Sequence, residues 1–236
     1  MVNRTLAIAI IISIFLTTWG ITVPAIADGS GFLKSDPDYN TIMFCPTPST
    51  LEQGDWYFRD FELLVLNFGY GLTDNLDLSF GTLFPVTGDI ELITLGAKLE
   101  ILDRDTEGLG LALTGGGFIL DDESVWSAGA VAGVGDRRRS LNLAVSMGFS
   151  EHGNSDPIFM IGGDTQVGDG TKLFAEYGNS ARSFGDSDDF YGLINLGVRF
   201  FGKSLSVSLS GLRPLIDGDD DDNLFAIPMV MVSKHW

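Results

Sequence analysis

Four groups of residues in this chain carry types and spacings that could do chemistry. The first, Gly197-Val-Arg-Phe-Phe-Gly202-Lys203-Ser204, has the G-x-x-x-x-G-K-S spacing of a phosphate-cradling loop. That chemistry needs a helix after the lysine, whose N-terminal N–H groups hold the phosphate. Here Leu-Ser-Val-Ser-Leu-Ser follows with a two-residue period, and Phe200 and Phe201 stand where backbone should approach the anion. The spacing predicts a hairpin turn at Gly202-Lys203 and no nucleotide. The second group, Asp217, Asp219, Asp220, Asp221 and Asp222, offers hard oxygen ligands of the kind divalent cations take. It lacks the glutamate that closes an EF-hand loop, so it reads as a solvated acidic loop that holds cations loosely, with no other cofactor expected. The third, Ser150, Glu151, His152 and Asp156, has the side chains of a hydrolase acting on lipid, but spacing places no complete triad. The second histidine, His235, stands beside Trp236 and reads as structural.

The fourth group is Asp77, Lys98, Glu100, Asp164, Glu176 and Arg199. Each falls on the polar side of a segment that alternates apolar and polar residues. On one side of a closed sheet such residues have two possible roles. They pair with one another across the interior and fill it, because buried charges need partners, or they line a narrow pore and set its selectivity.

The elements that must position them are strands. From Thr41 onward about twelve extended segments of roughly 10–16 residues follow one another, bounded by turn chemistry, and none keeps a helical apolar stripe. In 139–150, Leu141, Leu143, Val145, Met147 and Phe149 oppose Ser140, Asn142, Ala144, Ser146 and Gly148. In 204–215, Leu205, Val207 and Leu209 oppose four serines. The polar faces are Gly, Ser, Asn and Thr, where a soluble sandwich would show Lys, Glu and Arg. One greasy face and one small-polar face describe a transmembrane antiparallel up-and-down barrel. Twelve strands require 41–51 to be the first, despite Pro46 and Pro48, and 56–71 to be a single long one; ten is the alternative. Residues 28–40 carry no period and read as a flexible lead-in, with the barrel over 41–236.

The connections sort by alternation. With the N-terminus starting in the periplasm, 52–55, 87–91, 121–124, 150–156, 180–189 and 216–223 face outward, with seventeen acids and one base, Arg182. The inward ones, 71–75, 103–108, 136–140, 168–172 and 202–204, carry six of each. The longest loops fall in the outward set, as in outer-membrane barrels. Residues 1–27 have a positive Arg4, an apolar run from Leu6 and an Ala25-Ile26-Ala27 cleavage motif, so they read as a secretory signal peptide. The net charge of −18 argues against nucleic acid, and the single Cys45 excludes an internal disulfide.

CPTPSTLEQGDWYFRDFELL, FGYGLTDNLDLSFGTLFP, FAEYGNS and GVRFFGKSLSVSLSGLRPL resemble segments of a group of uncharacterised bacterial outer-membrane β-barrel proteins. The resemblance spans nearly all of 41–236 and brings structural motifs but no catalytic residue. The terminal Trp236, preceded at two-residue steps by Lys234, Val232 and Val230, is similar to the strand signal read by barrel-assembly machinery, with Lys234 departing from the usual apolar residue. The expected partners are that machinery, outer-membrane lipids and lipopolysaccharide. The sequence thus points to a small outer-membrane barrel, porin-like, acting as a pore or passive channel for small solutes. The alternatives are a non-conducting surface-interaction barrel with acidic outer loops and an outer-membrane lipid hydrolase.

Overall fold

The computed structural model describes residues 34–83, 92–120, 123–150, 153–154, 157–180, 190–216 and 226–236. The proposed signal peptide, the acidic run 217–222 and the residues Glu151, His152 and Asp156 lie outside them. Thirteen strands form in chain order: β1 (Trp56–Phe61), β2 (Val65–Thr73), β3 (Leu76–Leu83), β4 (Leu92–Leu102), β5 (Leu109–Leu120), β6 (Glu123–Gly135), β7 (Arg139–Ser150), β8 (Gly153–Asn154), β9 (Ile158–Gly168), β10 (Thr171–Ser180), β11 (Phe190–Phe201), β12 (Leu205–Ile216) and β13 (Ile227–His235). Each pairs antiparallel with its neighbours, β7 pairs directly with β9, and β1 closes on β13. The two-residue β8 only extends the end of β7. The result is a closed barrel of twelve strands, which leaves no sheet edge unpaired.

The barrel is apolar outside and polar inside. Leu143 is 50% exposed and Leu196 52%, whereas Asn142, Ser208 and Ser233 on the opposite face are fully buried. A soluble fold would invert that pattern; a barrel in lipid requires it. Among the described residues no helix is long and apolar enough to cross a membrane. One short helix, α1 (Arg104–Glu107), sits in the β4–β5 connection, capped by the Asp103 carboxylate and ended by Gly108 at a φ of 73°.

The strand count of twelve is met differently from the sequence expectation. Residues 41–51 form no barrel strand; among them only Thr41 makes a bridge, to Pro46. Prolines at 46 and 48 donate no ladder bond, which suits a tight turn and not a strand between two neighbours. The twelfth strand comes from dividing 56–71 at residues 62–64. There the Leu64 N–H donates to the Phe61 carbonyl at 3.0 Å, and Glu62 and Leu63 both take left-handed φ values, 58° and 59°. Two positive φ values in succession are the backbone of a primed hairpin turn, normally given to Gly or Asn. Residues 52–55 consequently lie at the end expected to be periplasmic, with the Gly54 N–H on the Gly71 carbonyl at 2.9 Å.

The C-terminus completes the seam. Trp236 stacks on Trp56 with ring centroids 3.8 Å apart, and their backbones exchange hydrogen bonds. Lys234 points outward, carries its ammonium 5.3 Å from the Trp236 ring centroid and donates to Ser204 Oγ at 2.8 Å. A long cationic stem lying along an interfacial ring is the snorkelling arrangement, which explains a lysine at an outward step of the terminal strand.

Candidate functional site: a lumen filled by the chain's own N-terminal segment

The segment preceding β1 occupies the barrel interior. It passes Asp169 of the short β9–β10 turn, where the Lys34 N–H donates to that carboxylate at 3.2 Å, and Asp36, Asp38, Ile42, Met43, Cys45 and Leu51 are then buried. This corrects the expectation of a flexible lead-in at 28–40 for residues 36–40. Lacking periodicity, they form no element of their own and take their order from the wall.

The wall grips this plug at three places. On one side, Asp36 and Asp38 meet basic side chains from four strands. Arg199 Nη1 lies 2.9 Å from Asp36 Oδ2, and Lys172 Nζ lies 3.0 Å from the same oxygen and 2.9 Å from Asp164. Arg59 Nη2 and His235 Nε2 each lie 2.8 Å from Asp38 Oδ1, while the Ser206 hydroxyl donates to Asp38 Oδ2. Burial pushes both carboxyls up, but the adjacent cations outweigh it. Arg199 and Lys172 hold Asp36 below the usual carboxylate range, and Arg59, His235 and Arg199 hold Asp38 well below it.

At the tip, one carboxylate oxygen of Glu176 accepts from three consecutive backbone N–H groups, those of Met43 (2.9 Å), Phe44 (2.8 Å) and Cys45 (2.7 Å). Asn195 holds the other oxygen at 2.7 Å. Successive N–H groups aimed at one point form an anion nest, here filled by a residue of the wall. On the third side, Lys98 Nζ donates to the carbonyls of Asn40, Thr47 and Ser49. Asp77 accepts from the Leu51 N–H at 2.8 Å, and Glu100 accepts from the N–H and hydroxyl of Thr50.

All six lumen candidates read from the sequence therefore face inward, and five of them contact the plug directly. Asp164 reaches it through Lys172. The sequence reading missed Asp36, Asp38, Arg59, Lys172 and His235. Arg59 alternates with Tyr57 and Phe61 on the inward face of β1, a signal obscured by taking 56–71 as one strand. Lys172 falls at the end of the 168–172 connection, where alternation assigns no face.

The wall is also shaped for its occupant. A Cβ on Gly110 would come 2.5 Å from Pro48 Cγ, one on Gly133 2.9 Å from Pro48 Cδ, and one on Gly162 2.8 Å from Cys45 Cβ. Glycine at these three places lets the plug's Pro48 and Cys45 side chains lie against the strands. Cys45 is fully buried there, with its thiol pushed up by burial and by the Glu176 carboxylate, which leaves it unreactive.

Beside the plug the lumen keeps a cavity of about 360 Å³. Its floor is the plug's Phe44 and Pro46, and hydroxyls of Ser79, Thr114, Ser127 and Ser146 line its wall. Of the remaining chemical candidates, Glu151, His152, Asp156 and the 217–222 aspartates fall outside the described residues. Gly202-Lys203 is a hairpin turn closed by the Gly202 N–H on the Leu205 carbonyl at 2.7 Å, and Ser150 donates to the Gly153 carbonyl at 3.1 Å. Among the described residues no cluster of His, Cys, Asp and Glu could hold a metal ion.

A closed, twelve-stranded antiparallel barrel with an apolar belt and a polar lumen is the outer-membrane barrel architecture. No family model matches the sequence, and none of the curated proteins does either. Among solved structures, the barrel is similar to the KdgM porin in complex with disordered oligogalacturonate, at a TM-score of 0.57 and 9% identity over 76% of this chain and 96% of that one. The KdgM porin alone gives 0.52 and 8% over 77% and 96%. The Acinetobacter baumannii outer membrane protein Omp33 gives 0.46 and 9% over 77% and 95%. The two KdgM likenesses establish the fold.

Proposed function

We propose that the protein is a porin-like barrel that passes small solutes across the outer membrane, with the segment 34–55 as a resident plug that sets its bore. The cavity of about 360 Å³ carries this reading, because it is walled by hydroxyls and lies inside a closed barrel. A barrel serving only as scaffold gains nothing from a polar space at its centre. The KdgM porin, a porin by name, has the same architecture. The reading is non-catalytic, with the Ser150 hydroxyl donating to the Gly153 carbonyl at 3.1 Å.

The plug favours one second reading, a barrel that stays closed. Single-channel recording in planar bilayers separates the two. The pore reading expects small conductance steps from the intact protein and larger ones after deletion of residues 34–51. A deletion variant that folds yet never conducts would refute it. A silent parent beside a conducting deletion variant would favour the closed barrel.

The apolar belt of the closed barrel supports an outer-membrane setting, with which the expected signal peptide and the acidic connections agree. We further propose that the 217–222 aspartates bridge through divalent cations to lipopolysaccharide phosphates. A melting temperature in lipopolysaccharide that chelator leaves unchanged would count against that bridge.

A further inference from the structure

We propose that the lumenal cavity is a binding cup for a neutral, ring-shaped polyhydroxylated solute, a sugar or cyclic polyol, with the plug's own tip as its floor. The inference rests on the pore reading for how the solute arrives, and on three observations for what the solute is.

The first is the hydroxyl wall. Ser79, Thr114 and Ser146 line the cavity from β3, β5 and β7 and make no hydrogen bond to any described residue, and the Ser127 hydroxyl has only a long 3.5 Å contact to the Gly116 carbonyl. Gly96 leaves the Ser79 hydroxyl its room, because a Cβ there would come 2.4 Å from that oxygen. A hydroxyl both donates and accepts, so such a wall matches a solute whose own groups are hydroxyls.

The second is the floor. Phe44 is 37% exposed and stacks on Phe61 at a centroid distance of 6.2 Å, and Pro46, Ile158 and Met160 continue the apolar surface. A pyranose presents a rim of hydroxyls and a face of C–H groups. The rim suits the serine and threonine wall, and the face suits an aromatic ring. A linear polyol or a flat aromatic solute would satisfy only one of the two.

The third is charge. Arg59, Lys98 and Asp77 border the cavity, but each is already engaged. Arg59 donates to Asp38, Asn40 and Ser233. Lys98 donates to three plug carbonyls and lies 4.0 Å from Asp77. An anionic solute would have to displace Asp38 or Asp77 from its cation, or share that cation with the carboxylate at a cost in like-charge repulsion. A neutral solute needs no such displacement, and neutrality is therefore the selected property while the plug is docked.

The test compares glucose with glucuronate, which share a ring and differ by one carboxylate. Saturation-transfer NMR on the refolded chain in micelles is expected to show glucose binding and none for glucuronate above empty micelles. Thr114→Val with Ser146→Ala keeps shape and removes two hydroxyls, and should weaken glucose about tenfold. Phe44→Ala should weaken it independently. Glucuronate binding as tightly as glucose, or glucose binding indifferent to all three substitutions in protein with heat-modifiable gel mobility, would overturn the cup. Proteoliposome swelling in both solutes keeps this separate from conduction. Glucose binding without swelling refutes the pore and leaves the cup standing, whereas swelling at equal rates in both solutes without binding does the reverse.

Discussion

Replacing Asp38 with alanine should release the plug, and the chain's single cysteine would report it. Asp38 is fully buried. Its loss leaves the Arg59 guanidinium in the lumen with Asn40 and Ser233 as its hydrogen-bond acceptors among the described residues, and removes the carboxylate partner of His235. Breaking a buried pair by deleting one member costs about 3–5 kcal/mol, because the other charge stays desolvated. Undocking relieves that cost by letting water reach Arg59, so the undocked fraction should rise by roughly 10²–10⁴-fold at 1.36 kcal/mol per decade. Cys45 lies seven residues further along the plug and is silent while buried, so a change at residue 38 reaches it only if the segment leaves as a unit. The assay is the rate of Cys45 alkylation by a small maleimide in the refolded barrel, which follows the open population when re-docking outpaces reaction. Asp38→Asn, which keeps an acceptor but not the charge, should fall between parent and alanine. Labelling of Asp38→Ala at the parental rate, in protein whose heat-modifiable mobility shows an intact barrel, would refute the claim that these charges hold the plug.

Gly110→Ala should loosen the same segment by steric means. Its Cβ would meet Pro48 at 2.5 Å, and overpacking of about 1–3 kcal/mol predicts Cys45 labelling roughly tenfold faster or more. Gly115→Ala is the control, since the nearest atom to its Cβ is 3.9 Å away and labelling should not change. Acid should release the plug only late. Asp36 and Asp38 have carboxyls held below the ordinary value of 3.8, so their contribution to docking is complete above that value and is lost as pH falls through the lower docked values. Pepsin should leave the plug uncut at pH 5 and cleave it within 34–55 only as the pH drops below 3.8; cleavage at pH 5 would contradict the sign of both shifts. Leu63→Gly should raise barrel stability by about 0.5–1 kcal/mol, because a side chain at a φ of 59° carries a left-handed penalty that glycine avoids; an unchanged or lower urea midpoint would show the turn unstrained.

The wall of this protein was legible in the sequence because its signal repeats. Every strand restates the same period of two, so errors at single places do not propagate. The reading of 41–51 as a strand and the undivided 56–71 were two such errors, and they cancelled. Removing one strand before residue 56 and adding one at Glu62-Leu63 leaves every strand from β3 onward pointing the way alternation implied. Only 52–55 changes ends. The turn at Glu62-Leu63 escaped notice because it uses neither Gly nor Asn.

The plug had no comparable signal. Its order comes from contacts between residues far apart in sequence, from Asp38 with Arg59 to Asp36 with Arg199 and the 43–45 amides with Glu176, and nothing periodic marks them. A charge count on the wall does carry a trace of it. The lumen set read from sequence has four acids, Asp77, Glu100, Asp164 and Glu176, against two bases, Lys98 and Arg199, an imbalance a buried interior cannot sustain. Arg59 and Lys172 restore it. Once they are counted inward the wall has four of each, but Glu100 and Glu176 are taken up by plug N–H groups, so Arg59 and Arg199 find their carboxylates in the plug's Asp38 and Asp36. The prolines that weakened 41–51 as a strand point the same way, since Pro48 seats against Gly110 and Gly133 and its missing N–H needs no partner there. A segment too proline-rich to join the sheet, preceded by two acids and opening a barrel whose inward bases would otherwise lack partners, is thus better read as the barrel's contents than as its first strand.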